Sequence, residues 1–226
     1  MYRIVLLDLD DTLLDFKKTE AAAVSQTLAR FGIEPTPAVV QRYSEINQSL
    51  WKKLEKREIT REKLLPHRFE LLFAELAVNE DSNRVQAVYE KTLGTGHYFI
   101  DGAPELLQTL SKNHALYLVS NGTASVQRGR IASAGIEPYF RRMFISHEIG
   151  YNKPDIRFFE ACFAEIDRFD KSETIIIGDS LSSDMEGGRR AGIATCWFNP
   201  HRHPLPDGVT VDHIVSNLAD IPSIVG

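Results

Sequence analysis

The sequence predicts an α/β fold, a doubly wound parallel sheet with an all-helical insertion after its first strand. Three observations predict it. Short, nearly continuous apolar runs recur at 4–7, 116–119, 143–145, 174–177 and 194–198, as parallel strands covered on both faces require. From residue 100 onward, helical patterns separate those runs, and a βαβα order implies parallel strands joined by right-handed crossovers. Between residues 16 and 97 the alternation stops, and no strand-like run interrupts four helical segments.

Each element has a local reason. The first strand, Ile4–Leu7, ends in three carboxylates, Asp8, Asp10 and Asp11. The first inserted helix, 19–31, is closed by Gly32. The second, 39–56, is launched by Thr36-Pro37, a cap followed by proline in the first helical position. The third, 60–76, carries Pro66, a residue that kinks a helix or splits off its first turn. The fourth, 81–93, ends at Gly94. Residues 16–97 are therefore expected to form a helical unit, and 1–15 with 98–226 the α/β core. In that core, helices are expected at 103–111 after the turn Asp101-Gly102, and at 125–134 before Gly135. Two more are expected at 155–166, with Asp155 as N-cap, and at 183–191 before Gly192.

Composition narrows the function. With 226 residues, 43% hydrophobic and 25% charged, the chain has the make-up of a soluble globular protein that needs no staples. Cys162 and Cys196 show no metal-like spacing and sit in apolar segments, as buried reduced thiols of a cytosolic protein do. A net charge of −5 argues against nucleic acid as the main partner. The N-terminal apolar run is too short for a signal peptide and is followed by acids. No segment approaches the ~20 apolar residues that cross a bilayer. A cytoplasmic protein with no membrane partner is expected.

The carboxylates after the first strand need an explanation. Asp8 and Asp10 point the same way in an extended chain. At ~4 Å and an effective dielectric near 20, two such charges repel by roughly 4 kcal/mol. Other polar groups fall at matching places. Ser120-Asn121-Gly122 follows the run at 116–119, Lys153 lies in the loop after 143–145, and Gly178-Asp179-Ser180 follows 174–177, with Asp184 beyond. Open α/β sheets bind ligands at the carboxyl ends of their strands. Taken singly, these features read as a turn, an N-cap and a surface lysine; four in order at strand ends read as a site.

The segments DLDDT, VSNG, the lysine of YNKPD, and GDSLSSD resemble the four motifs of the haloacid dehalogenase-like hydrolase superfamily. The resemblance spans the whole chain, and the helical insertion resembles the C1 cap of that family. It implies that Asp8 is a nucleophile and Asp10 a general acid/base. It also implies phosphate or substrate contacts from Thr12, Ser120, Asn121 and Lys153. Mg²⁺ would be held by Asp8, the backbone carbonyl of Asp10, and Asp179, with Asp184 in support. The charge count agrees: four potential negative charges, and up to two more on a phosphate monoester, face one ammonium, and a hard divalent cation offsets that excess. In the implied reaction Asp8 attacks phosphorus. Asp10, expected to be held protonated by its charged neighbours, gives its proton to the leaving alcohol and then activates water, help worth about 3–5 kcal/mol. The superfamily's dehalogenases lack the second aspartate, so its presence favours phosphoester chemistry.

Less weight falls elsewhere. His201-Arg202-His203 sits between Pro200 and Pro204, and two histidines do not complete a metal site. Tyr43, Phe69 and Phe73 form a helical stripe of the kind that fills a core. The stretch YSEINQSLWKKLEKREIT with HRFELLF resembles the pyrimidine nucleotidase branch, whose substrates are nucleoside monophosphates. Phe16 is expected to make a lid contact at the junction of loop and insertion. Asn47 and Trp51, four apart on one helix face, are expected either to pair an amide with an aromatic plate against a base or to belong to the core of the insertion. Another small phosphomonoester, a phosphomutase reaction, and a phospho-accepting signalling module are the alternatives. The large insertion fits the last poorly. The sequence leaves the oligomeric state open.

Overall fold

The computed structural model describes residues 1–226. Its centre is β1 (Ile4–Leu7), four fully buried residues whose side chains alternate between two cores. Val5 and Leu7 join an apolar cluster on one side, while Ile4 and Leu6 join another with Phe158 and Phe159. A strand covered on both faces has no polar side to show, hence its unbroken apolar run. The other strands are β2 (Ala115–Ser120), β3 (Arg142–Ile145), β4 (Thr174–Gly178), β5 (Ala194–Phe198) and β6 (His213–Val215). They form one sheet in the order β3-β2-β1-β4-β5-β6, and every neighbouring pair is parallel. Leu7 registers with Leu118 on one side and Ile177 on the other. The chain therefore leaves β1, β2 and β4 at one common edge.

Four helices intervene between β1 and β2: α1 (Phe16–Arg30), α2 (Pro37–Glu55), α3 (Arg61–Leu76) and α4 (Ser82–Leu93). Asp15 caps α1 by accepting from the Lys18 N–H, so this helix starts three residues before the 19 that the apolar pattern predicts. Thr36 caps α2 and Asp81 caps α4. The helix α3 runs unbroken through Pro66. The four surround their own apolar cluster, in which Tyr43, Phe69 and Tyr89 meet with ring centroids 5.0–5.5 Å apart. Polar ties link α3 to the sheet side: Arg61 donates to Ser146 and Asn152, both at 2.7 Å.

The remaining helices are α5 (Ala103–Leu110), α6 (Ala124–Ala134), α7 (Ser146–Ile149), α8 (Ile156–Ala164), α9 (Glu186–Ala191) and α10 (Ile221–Val225). Two further features depart from the sequence-based expectation. The edge strand β6 is three residues long and only partly buried, so it has no apolar run to announce it. The helix expected from 183 begins at Glu186, because 181–185 form a wider turn that carries Asp184 toward the strand ends. Cys162 and Cys196 are buried free thiols. His201 and His203 lie exposed in the loop after β5. No helix is long and apolar enough to cross a membrane.

Candidate active site

Asp8 is the first residue past β1, and its N–H still bonds the Ile177 carbonyl at 3.0 Å, which fixes its position against β4. Its side chain is buried. Lys153, almost wholly buried, donates from Nζ to Asp8 and Asp184, both at 2.6 Å, and to the Val119 carbonyl at 2.8 Å. Asn121 clamps the lysine's backbone, accepting from its N–H and donating to its carbonyl, each at 2.8 Å. Thr12 donates to Asp8 at 3.3 Å and accepts from the Asp179 N–H at 3.1 Å, so one hydroxyl joins the loops after β1 and β4. Asp184 reaches inward because β4 ends in Gly178; a Cβ at that position would overlap the Asp184 carboxylate.

Carboxylate oxygens of Asp8, Asp179 and Asp184 lie within 4.8 Å of one another. Three acids with one ammonium among them carry an excess of negative charge. Burial pushes Asp8 up to about 7, against the pull of Lys153 and with a further push from Asp184 and Asp10. Asp179 is raised well above the usual carboxylate range by burial and by Asp8 and Asp184. Burial works to discharge Lys153, but Asp184 and Asp8 outweigh it and hold the ammonium above the ordinary lysine range. A cluster of hard oxygen donors, clustered this closely and short of positive charge, fits a divalent cation such as Mg²⁺.

Asp10 has different company from that expected. Rather than standing only among carboxylates, it forms an ion pair with the fully buried guanidinium of Arg130. Gln127 donates to its other oxygen at 2.7 Å and also to Ser120 Oγ at 2.7 Å. Gly122 makes room for this arrangement, since a Cβ there would strike the Gln127 side chain. Phe16, at the start of α1, lies over the Arg130 guanidinium at 5.4 Å. Gln127 and Arg130 belong to none of the sequence motifs. Their signal was present: they sit three apart on α6, on the face that also buries Val126 and Ile131.

A cavity of about 280 Å³ opens over this edge. Asp8, Asp10, Lys153 and Asp179 line it from the sheet, and Phe16, Glu20, Asn47, Trp51 and Arg68 from the helices α1–α3. Asn47 and Trp51 share a face as expected, but the Asn47 amide is engaged within the protein. Its oxygen accepts from Trp51 at 3.0 Å and Arg68 at 2.9 Å, and its nitrogen donates to Glu20 at 2.6 Å. Glu20 and Arg68, neither of them an expected site residue, line the cavity as well. Glu20 occupies the buried stripe of α1 with Ala23, Val24, Thr27 and Leu28, where an acid is out of place.

The family model for haloacid dehalogenase-like hydrolases matches residues 5–198. The chain is 37% identical over 224 residues to YfnB of Bacillus subtilis, described as a HAD-hydrolase, covering 99% of this chain and 95% of the relative. It is 38% identical over 201 residues to the pyrimidine 5'-nucleotidase PynA of Streptococcus pneumoniae, with 88% and 85% covered. To the pyrimidine 5'-nucleotidase YjjG of Escherichia coli it is 27% identical over 221 residues, with 98% and 96% covered. The crystal structure of YfnB bound to magnesium superposes with a TM-score of 0.94 at 35% identity, spanning 100% of this chain and 99% of that one.

Proposed function

Because the chain belongs to the haloacid dehalogenase-like hydrolase family, we propose that it is a Mg²⁺-dependent phosphomonoester hydrolase that dephosphorylates pyrimidine nucleoside monophosphates. The observation that carries the chemistry is the seat of Asp8. A carboxylate held by the sheet, beside a buried ammonium and two further acids, opens onto a cavity roofed by helices. The nucleotide assignment draws on the likeness to PynA and YjjG.

Asp8 is the nucleophile. Its oxygen forms a bond to phosphorus as the bond to the ester oxygen breaks, which leaves an aspartyl-phosphate. Lys153 holds Asp8 in position and sets a fixed positive charge beside the phosphoryl oxygens. Asp10 acts as the acid in its protonated form: in the reacting complex it carries a proton and gives it to the departing alcohol. It becomes the carboxylate that Arg130 and Gln127 hold, then regains a proton from the water that attacks the aspartyl-phosphate, releasing phosphate and free Asp8. Arg130 and Gln127 orient the Asp10 carboxyl for both transfers. Asp8, Asp179 and the Asp10 carbonyl would hold Mg²⁺, which would supply positive charge to offset that developing on the phosphoryl group. Ser120 and Thr12, expected from the sequence to contact phosphate, lie buried behind this edge. Thr12 ties Asp8 to the Asp179 N–H and Ser120 accepts from Gln127, so they position the groups that meet the phosphate. Residues 16–97 act as the cap that covers the reaction and selects the leaving group.

A phosphate-release screen over pyrimidine and purine monophosphates and sugar phosphates, in Mg²⁺ and in EDTA, tests this reading. Pyrimidine monophosphates should give the highest kcat/KM, and EDTA should abolish release. A sugar phosphate ahead of every nucleotide would overturn the substrate, and undiminished turnover in EDTA would overturn the metal.

A further inference from the structure

Glu20 stands on the cavity wall with 3% of its surface exposed. Its oxygens accept from Ser44 and Asn47, both at 2.6 Å, and both partners are neutral. A buried carboxylate ordinarily faces a cation or a metal, because hydrogen bonds to neutral groups replace only part of its lost hydration. Burial pushes the Glu20 carboxyl above the usual glutamate range, with Ser44, Asn47 and the nearby charge of Arg68 pulling it back. Its oxygens keep capacity for further donors.

Arg68 is the complementary half. Also 3% exposed and on the same wall, it donates through Nε to Leu65 and Gln86, through one terminal nitrogen to Asn47, and through the other to Gln86. Five N–H groups belong to a guanidinium, so one on each terminal nitrogen has no acceptor in the protein. Asn47 bridges the two residues, donating to Glu20 and accepting from Arg68. Glu20 and Arg68 thus line the cavity wall on either side of one amide, the guanidinium lying 4.7 Å from the centre of the Tyr89 ring, with Phe16 and Trp51 lining the same space.

We propose that Glu20 and Arg68 read the edge of the leaving group's base: Glu20 accepts the ring N3–H of a uracil-type pyrimidine, and Arg68 donates to an adjacent ring carbonyl. The inference rests on the nucleotidase reading above and names the residues that make it selective. A sugar phosphate carries hydroxyls but no N–H beside a C=O, and leaves a buried carboxylate and guanidinium unmatched.

The test compares uridine monophosphate, its N3-methyl derivative and p-nitrophenyl phosphate, all with Mg²⁺. For the unaltered protein, N3-methylation should lower kcat/KM by roughly 10- to 100-fold, mainly through KM, the loss expected for one hydrogen bond to a charged group. Glu20→Gln should lower the ratio of kcat/KM between uridine monophosphate and p-nitrophenyl phosphate, and should shrink the penalty for N3-methylation, because a neutral amide oxygen accepts N3–H more weakly than a carboxylate. If the unaltered protein prefers uridine monophosphate to p-nitrophenyl phosphate yet accepts the N3-methyl form equally well, the Glu20 assignment is wrong and the nucleotidase reading stands. If it shows no preference for uridine monophosphate, both are overturned. The methylation comparison needs no variant, so misfolding of Glu20→Gln offers no refuge.

Discussion

Asp8→Asn should abolish turnover and, in metal-free buffer above neutral pH, make the protein more stable than the wild type. Asp8 is buried with Asp184 at its side and only Lys153 to offset them, so its pKa rises from an ordinary 3.8 to about 7. A group that holds its proton more tightly folded than unfolded contributes stability that is complete below about pH 4 and is lost as pH climbs to about 7. At about 1.36 kcal/mol per pH unit, that interval corresponds to roughly 4 kcal/mol as a ceiling. Asparagine preserves the shape, can still accept from Lys153, and removes the charge. Asp179 retains part of the strain, so an advantage of about 1–3 kcal/mol at pH 8 is expected. The assay is urea unfolding of both proteins in EDTA from pH 4.5 to 8, followed by fluorescence of Trp51 and Trp197. The gap should open with rising pH and close when Mg²⁺ is added, because the wild type gains more from the cation. A gap that stays constant with pH, or a variant less stable at pH 8, would refute the electrostatic account of the cluster.

Three further outcomes are expected. Arg130→Lys should reduce kcat more on alkyl monophosphates than on p-nitrophenyl phosphate, whose leaving group needs little protonation; an equal loss on both would remove Arg130 from the orientation of Asp10. Asn47→Ala should cost about 1–3 kcal/mol in unfolding free energy, because it strands Glu20, Trp51 and Arg68 together, and should impair every substrate; a nucleotide-only KM effect with unchanged stability would show a direct contact to the base. Asp179→Ala should raise the Mg²⁺ concentration for half-maximal rate at least about tenfold, read by Mg²⁺ titration of phosphate release; an unshifted titration would place the metal elsewhere.

Much of this protein was legible in one dimension, and for a definite reason. Strands buried on both faces must be apolar throughout, so β1, β2, β4 and β5 appear as continuous runs. Groups at strand ends are fixed by chain order, so Asp8, Ser120 and Asp179 could be assigned to one edge before any coordinates were known. Capping chemistry is equally local, and Thr36-Pro37 and Gly94 mark helix boundaries that the structure keeps. The three-residue β6 escaped because a short, half-covered edge strand carries no distinctive pattern.

By itself, then, the sequence determined the layered α/β plan, the helical insertion and the row of acids, lysine and small polar residues at the sheet edge. All of these follow from periodicity and from position along the chain. Only the tertiary structure decided who faces whom inside the cavity. It set Arg130 against Asp10 across 120 positions, which replaces a carboxylate crowded by its own kind with an ion pair. It enclosed the amide of Asn47 between Glu20 and Arg68, and so moved the readable edge from the amide to the charged residues beside it. Local patterns record whether a residue is buried, but an ion pair depends on which distant helix is packed against it. That pairing exists only once the chain has folded.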